Sequence, residues 1–156
     1  NLKQNKIYVE IIFKVLIELT EKYHLVITLS NADTMASLYR KSSKKLKSLK
    51  PSNVSLVENF GKYNYFSAMK ASKLLLGNTS SAILEAASFG KYAVNVGSRQ
   101  LGRLKSDNIL SVPCKKIKIK NAINKLISKG KYTGENKYYQ PNTASNIIKI
   151  IKNNEF

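Results

Sequence analysis

The sequence predicts an α/β domain built on a parallel sheet with helices on both faces, Rossmann-like in plan. Short apolar runs alternate along the 156 residues with longer segments of helical period. Each run is near-continuously apolar, as a strand covered on both faces requires, and does not alternate with polar residues. A helical segment separates most successive runs, and parallel strands need that kind of crossover.

The elements follow in order. Ile7, Ile11, Val15 and Leu19 recur every fourth residue, with Ile12 and Leu16 on the same face, so the chain opens as an amphipathic helix. His24 to Leu29 is rich in β-branched residues and reads as a buried strand. Ser30-Asn31-Ala32-Asp33 breaks the pattern and offers caps for a helix to about Leu49, with Met35, Leu38 and Leu46 inward. Pro51 stops that helix, and Val54 to Val57 is a second strand. Gly61 starts a helix carrying Tyr65, Met69 and Ser72 along one side. Lys73 to Leu76 is a third strand, ending at Gly77.

One helix is expected from Thr79 to Phe89, with Ile83, Ala86 and Ala87 inward and Gly90 as its stop. Tyr92 to Val96 is the fourth strand and Ile109 to Val112 the fifth, joined by a polar loop from Gly97 to Asn108. Helices around Lys116–Lys129 and Thr143–Asn153 close the chain, with a loop rich in Lys, Tyr and Gly and containing Pro141 between them. There is no internal repeat. The length fits one domain, residues 1–156, with one core.

Composition excludes several classes. No apolar run approaches the about 20 residues that cross a bilayer, so no membrane span is expected. Cys114 is the only cysteine, with no Cys or His at metal-ligand spacing; neither a disulfide nor a metal site is expected, and a reducing, cytoplasmic setting fits. The formal net charge of +18 invites a nucleic-acid reading. Yet only Arg40, Arg99 and Arg103 among the 27 basic residues are arginine, the residue whose planar fork grips phosphates and base edges. The lysines are spread over every predicted helix, the pattern of a solvated surface, so a nucleic-acid-binding module is the lesser expectation. The chain begins at Asn1 with a helical pattern already running, which processing of a longer chain or excision of a C-terminal domain would explain equally well.

In parallel α/β sheets ligands bind beyond the carboxyl ends of the strands. The loops at Asn31, Gly77 and Gly97 are expected to open onto that edge. Gly77-Asn78-Thr79-Ser80-Ser81 places small hydroxyl residues between a strand and a helix. Free N–H groups there suit a phosphate, although the pentapeptide taken alone favours the plainer reading, Thr79 or Ser80 as a helix cap. Glu85 follows on a helix otherwise lined with Ile, Leu and Ala. It could pair with Lys91, or it could accept the two hydroxyls of a ribose in charge-assisted bonds. Arg99 and Arg103 put two of the three arginines into one glycine-containing loop beside this place, where lysine would serve for solubility alone.

The segment Gly77-Asn78-Thr79-Ser80-Ser81-Ala82-Ile83-Leu84-Glu85-Ala86-Ala87-Ser88-Phe89-Gly90 resembles a signature of the hydrolysing UDP-N-acetylglucosamine 2-epimerases of sialic-acid-type sugar pathways. Asn95-Val96-Gly97-Ser98-Arg99-Gln100-Leu101-Gly102-Arg103, continued by Asp107-Asn108-Ile109-Leu110, is similar to a second, and Asn31-Ala32-Asp33 to a third. The resemblance runs from about Val26 to Lys125. It implies the C-terminal half of a two-domain enzyme in the GT-B arrangement. It further implies that Thr79 and Ser80 hold the diphosphate, Glu85 the ribose, and Asn31 and Arg99 the phosphate and sugar region; Ser81 and Arg103 are expected among the substrate-binding residues of the same site. Tyr65 takes the place of an aromatic near the base. Thr79 stands where the family usually has serine, and Ala82 where it has glycine.

That family eliminates the nucleotide across carbons 1 and 2 of the sugar with carboxylates from the other domain, then adds water; it uses no metal or redox cofactor. Its catalytic histidine would precede Asn1, and the two aspartates here, Asp33 and Asp107, form no acid–base pair. No catalytic residue is therefore expected in this chain. The expected partners are UDP or UDP-N-acetylglucosamine, the absent N-terminal domain, and further copies of the full-length enzyme. GDP-linked and bacillosamine-type sugars remain alternative substrates, since the motifs contact groups common to all of them.

Overall fold

The computed structural model describes residues 2–29 and 36–153. Asn31, Asp33 and Met35 lie outside the described residues. The first helix, α1 (Leu2–Leu19), has neither Gly nor Pro to interrupt it and buries Val9, Phe13, Val15 and Leu16. Ile7, on the face expected to point inward, is 49% exposed. β1 (Leu25–Thr28) is followed by α2 (Ala36–Leu49). Lys47 in the last turn of α2 donates to the carbonyls of Pro51 and Val54, both at 2.6 Å, tying the helix end to β2 (Val54–Val57). Next come α3 (Gly61–Ala71), β3 (Leu75–Gly77), α4 (Ser80–Leu84), a 3-10 turn (Ala86–Phe89), β4 (Ala93–Val96) and β5 (Ile109–Val112). The chain continues through α5 (Lys116–Ser128) to α6 (Thr143–Asn153).

Every strand pairing is parallel, as the crossovers demand. The strands nevertheless form two ladders, β1–β2 and β3–β4–β5, where the sequence suggested one sheet. Side chains join the two. One core cluster packs Val15 of α1 and Ile119, Ile123 and Leu126 of α5 on Val94 and Val96. The other packs Val9, Phe13 and Leu16 of α1 on Ile27, Leu46 and Val54. Ile12, Leu19 and Leu76 touch both. α1, α2 and α5 thus cover one face, while α4 packs on β3 and β4 from the other and α3 rests against the 3-10 turn.

The expected single helix from Thr79 to Phe89 is broken. α4 stops at Leu84, Glu85 has φ −116° and ψ −31°, and a 3-10 turn carries the chain to Gly90. Gly90 takes the left-handed conformation (φ 67°) that ends such turns, and a Cβ there would meet the Tyr132 carbonyl at 3.1 Å.

Glu18 at the end of α1 pairs with Lys116 and Lys120 of α5, and these ammonium groups hold its carboxyl below the usual range. A lowered folded-state pKa contributes stability above the unfolded value and loses it as the pH falls through the folded one. Glu18→Gln should therefore lower the melting temperature slightly at neutral pH, and the difference from the parent chain should vanish in acid. An equal difference at both pH values would refute this role. All of α6 is exposed, with Ile147, Ile148, Ile150 and Ile151 between 51% and 61% accessible. No helix among the described residues is long and apolar enough to cross a membrane.

Candidate functional site

The site is built where β3 and β4 end. Gly77 pairs in register with Asn95, so the loops after both strands emerge side by side. Thr79 is the N-cap of α4, with extended backbone and its Oγ1 accepting from the Ser81 N–H at 3.3 Å. The capping reading of this segment is thus realised at Thr79. Thr79 satisfies one N–H, while Ser80 stands exposed at the first helical position beside the rest of the helix start. Apolar burial of Ala82 and Ile83 presses α4 onto the sheet and fixes this orientation.

Ser81 and Glu85 lie four residues apart, hence on one side of the helix. The Ser81 hydroxyl oxygen and Glu85 Oε2 are both buried and without a hydrogen-bond partner. An ionised carboxylate oxygen withdrawn from water is unfavourable unless something donates to it. Glu85 makes no ion pair with Lys91 among those between described residues, so the simple surface pairing is not what the fold builds.

The loop after β4 forms the second wall. Gly97 follows the strand with φ 85°, turning the chain so that Gln100 points inward; Gln100 is 3% exposed. Its Nε2 donates to the Asn78 carbonyl at 2.7 Å, binding the arginine loop to the start of α4. Arg99 and Arg103 flank this glutamine on the exposed side. The Gln100 contact was not legible in the sequence, because it joins residues 22 positions apart.

Tyr65 is half-buried on α3, its ring 6.3 Å from that of Phe60. The two line a depression of about 350 Å³ with Thr28, Leu29 and Asn59, at the carboxyl ends of β1 and β2. Thr79, Ser80, Ser81 and Glu85 thus lie on α4 and its two caps, the loop carrying Arg99 and Arg103 is tied to the approach to α4 by Gln100, and Tyr65 lines a hollow on the β1–β2 side. Asn31 lies outside the described residues. A larger hollow of about 620 Å³, lined by Lys70, Gly90, Lys131 and Tyr132, sits at the amino end of β4, away from these loops. His24 is exposed at the start of β1, within 2.9 Å of the Ser55 hydroxyl, on the side of the strands opposite to the site loops. Among the described residues no three His, Cys, Asp or Glu side chains are grouped to hold a metal ion.

The hydroxyl-lined helix start, the unpartnered buried carboxylate oxygen and the arginine loop all lie at the strand ends of a parallel α/β domain, the edge at which proteins of this class bind their ligands. The family model for UDP-N-acetylglucosamine 2-epimerase matches residues 2–152, and the chain belongs to that family.

Three curated relatives narrow the comparison. The UDP-N,N'-diacetylbacillosamine 2-epimerase (hydrolyzing) of Legionella pneumophila is 32% identical over 100 residues, 64% of this chain and 26% of that protein. The GDP/UDP-N,N'-diacetylbacillosamine 2-epimerase (hydrolyzing) of Campylobacter jejuni is 35% identical over 86 residues, 55% of this chain and 22% of that protein. Polysialic acid biosynthesis protein P7 of Escherichia coli is 30% identical over 128 residues, 79% of this chain and 32% of that protein. The chain thus spans between about a fifth and a third of their lengths. In fold it is similar to the UDP-GlcNAc 2-epimerase of Methanocaldococcus jannaschii, with a TM-score of 0.70 and 16% identity over 97% of this chain and 42% of that one.

Proposed function

We propose that this chain is the nucleotide-sugar-binding domain of a hydrolysing UDP-N-acetylglucosamine 2-epimerase, an enzyme that releases UDP and N-acetylmannosamine. The observation that carries the reading is the buried, unpartnered Oε2 of Glu85, one helix turn from a hydroxyl-lined helix start. A ribose diol supplies the two donors that such a carboxylate lacks, and its diphosphate reaches Thr79 and Ser80. Arg99 and Arg103 close over the charge, with Asn31 on the sugar side, and the Tyr65 hollow takes the base.

Catalysis falls to the remainder of the enzyme, a preceding domain that supplies the carboxylates and histidine this chain lacks. The isoleucines exposed along α6 are consistent with packing against such a domain, and full-length copies assemble as homo-oligomers. A single, buried, free cysteine is consistent with a cytoplasmic setting. The two relatives named for diacetylbacillosamine-linked substrates favour a second reading, in which the same nucleotide grip serves a bacillosamine-type sugar on UDP or GDP.

The isolated chain should bind UDP weakly, because only one wall of the cleft is present, and should turn over no nucleotide sugar. In an NMR titration UDP should first move the amide signals of Ser80, Ser81 and Glu85. Shifts confined to Lys115–Lys120 would replace this reading by charge-driven binding, and turnover by the isolated chain would refute the division of labour. Assays of the full-length enzyme with UDP-N-acetylglucosamine and with the UDP- and GDP-diacetylbacillosamine sugars separate the two substrate readings.

A further inference from the structure

The break at Glu85 has a physical cause outside α4. In the 3-10 turn the Ser88 N–H donates to the Glu85 carbonyl at 2.9 Å, one residue short of the helical partner. The Leu84 carbonyl is thereby left without its i+4 donor. Asn136, 52 residues further along the chain, fills the gap: its Nδ2 donates to Leu84 O at 2.8 Å and to Ser88 Oγ at 2.7 Å. Its Oδ1 accepts from the Tyr138 N–H at 3.0 Å, so the side chain is held from both ends.

The segment around Asn136 grips the site's other wall as well. The Lys137 N–H donates to the Ser106 hydroxyl at 2.9 Å, and Ser106 is 2% exposed. The Tyr138 hydroxyl donates to the Leu104 carbonyl at 2.9 Å. At its start, the Tyr132 N–H donates to the Gly90 carbonyl at 3.0 Å. One strap therefore fastens the 3-10 turn behind Glu85 and the loop that carries Arg99 and Arg103.

We propose that Asn136 is a positioning residue for Glu85: by capping the Leu84 carbonyl it fixes the helix break that aims the carboxylate at the ribose. The inference rests on the ribose assignment of Glu85 made above. Asn136 touches no nucleotide itself. Its effect passes through the backbone at Leu84 and Glu85, so it is felt by a ligand that carries both ribose hydroxyls and hardly at all by one that lacks the 2′ group.

The test uses the 156-residue chain, with affinities for UDP and 2′-deoxy-UDP taken from NMR titration. Asn136→Asp keeps the size and the acceptor for Tyr138 but removes the donor to Leu84; Asn136→Ala removes both. Each should weaken UDP about fivefold and 2′-deoxy-UDP less than about twofold, the loss of roughly one hydrogen bond's contribution. Added to Glu85→Gln, either substitution should weaken UDP no further, because the two residues act as one unit. Equal loss for both nucleotides, or a loss that adds to that of Glu85→Gln, overturns the proposal. If Asn136→Ala does not fold, the aspartate variant decides. If the parent chain bound UDP and 2′-deoxy-UDP equally, the ribose assignment would fail first and take this inference with it; that outcome is recognisable before any variant is made.

Discussion

Glu85→Gln should weaken UDP binding about tenfold while leaving the melting temperature unchanged. Each charge-assisted bond from a ribose hydroxyl contributes on the order of 1.5–3 kcal/mol in a shielded site. With one wall of the cleft present, the lower end applies, and about 1.4 kcal/mol is a factor of ten. The stability half of the expectation comes from the unliganded fold. Glu85 Oε2 accepts no hydrogen bond there, so the substitution removes no contact at that oxygen that holds the fold together. The substitution should scarcely alter the affinity for 2′-deoxy-UDP, which is already low. Unchanged UDP affinity together with a lowered melting temperature would make Glu85 a structural residue and remove the ribose assignment.

Ile123→Ala should be the more damaging change to the fold. Ile123 is 2% exposed on α5 and packs in the cluster that joins α1, α5 and β4. Truncating a buried isoleucine costs about 2–5 kcal/mol, from lost transfer energy and from the cavity left behind. Against a total stability of roughly 5–15 kcal/mol, this removes a large share, with a fall in melting temperature of roughly 10 °C. Ile117→Ala is the matched control: the same residue type on the same helix, but 63% exposed, with an expected change within about 0.5 kcal/mol. Similar losses for the two variants would mean that α5 does not pack as described.

The contrast between those isoleucines shows what the sequence could carry. Periodicity marks α5 and its inner face, because Ile119, Ala122, Ile123 and Leu126 recur at helical spacing and all are buried. The five strands were legible for the same reason: each is an apolar run bounded by turn residues. The break at Glu85 was not legible. Ala-Ala-Ser-Phe favours continued helix on local grounds, and the donor that stabilises the break arrives from Asn136. The strap from Tyr132 to Tyr138 reads as an ordinary polar loop, since its bonds reach Gly90, Leu84, Leu104 and Ser106 across the fold. Residue type and spacing single out the hydroxyls, the glutamate and the arginines as candidates, and the fold places all of them near the ends of β3 and β4. What pins them together, Gln100 on Asn78 and Asn136 on Leu84, is tertiary and left no periodic trace.

The division of the strands into two ladders bears on how the molecule opens. Backbone hydrogen bonding makes each ladder cooperative within itself, but among the described residues no strand of one ladder pairs with a strand of the other, and side-chain contacts through residues such as Ile12, Leu19 and Leu76 join the two cores. Contacts of that kind can be surrendered a few at a time. β1 and β2 with α2 are thus expected to loosen as a unit of their own, at a free energy below that of global unfolding, while the three-stranded ladder under α4 and α5 stays closed; slower amide exchange in β4 than in β1 would show it. Glu85 and the arginine loop belong to that more persistent unit, whereas the Tyr65 hollow borders the looser one. The proposed phosphate-and-ribose grip and the proposed base hollow therefore sit on parts of the protein expected to differ in lifetime in the closed state.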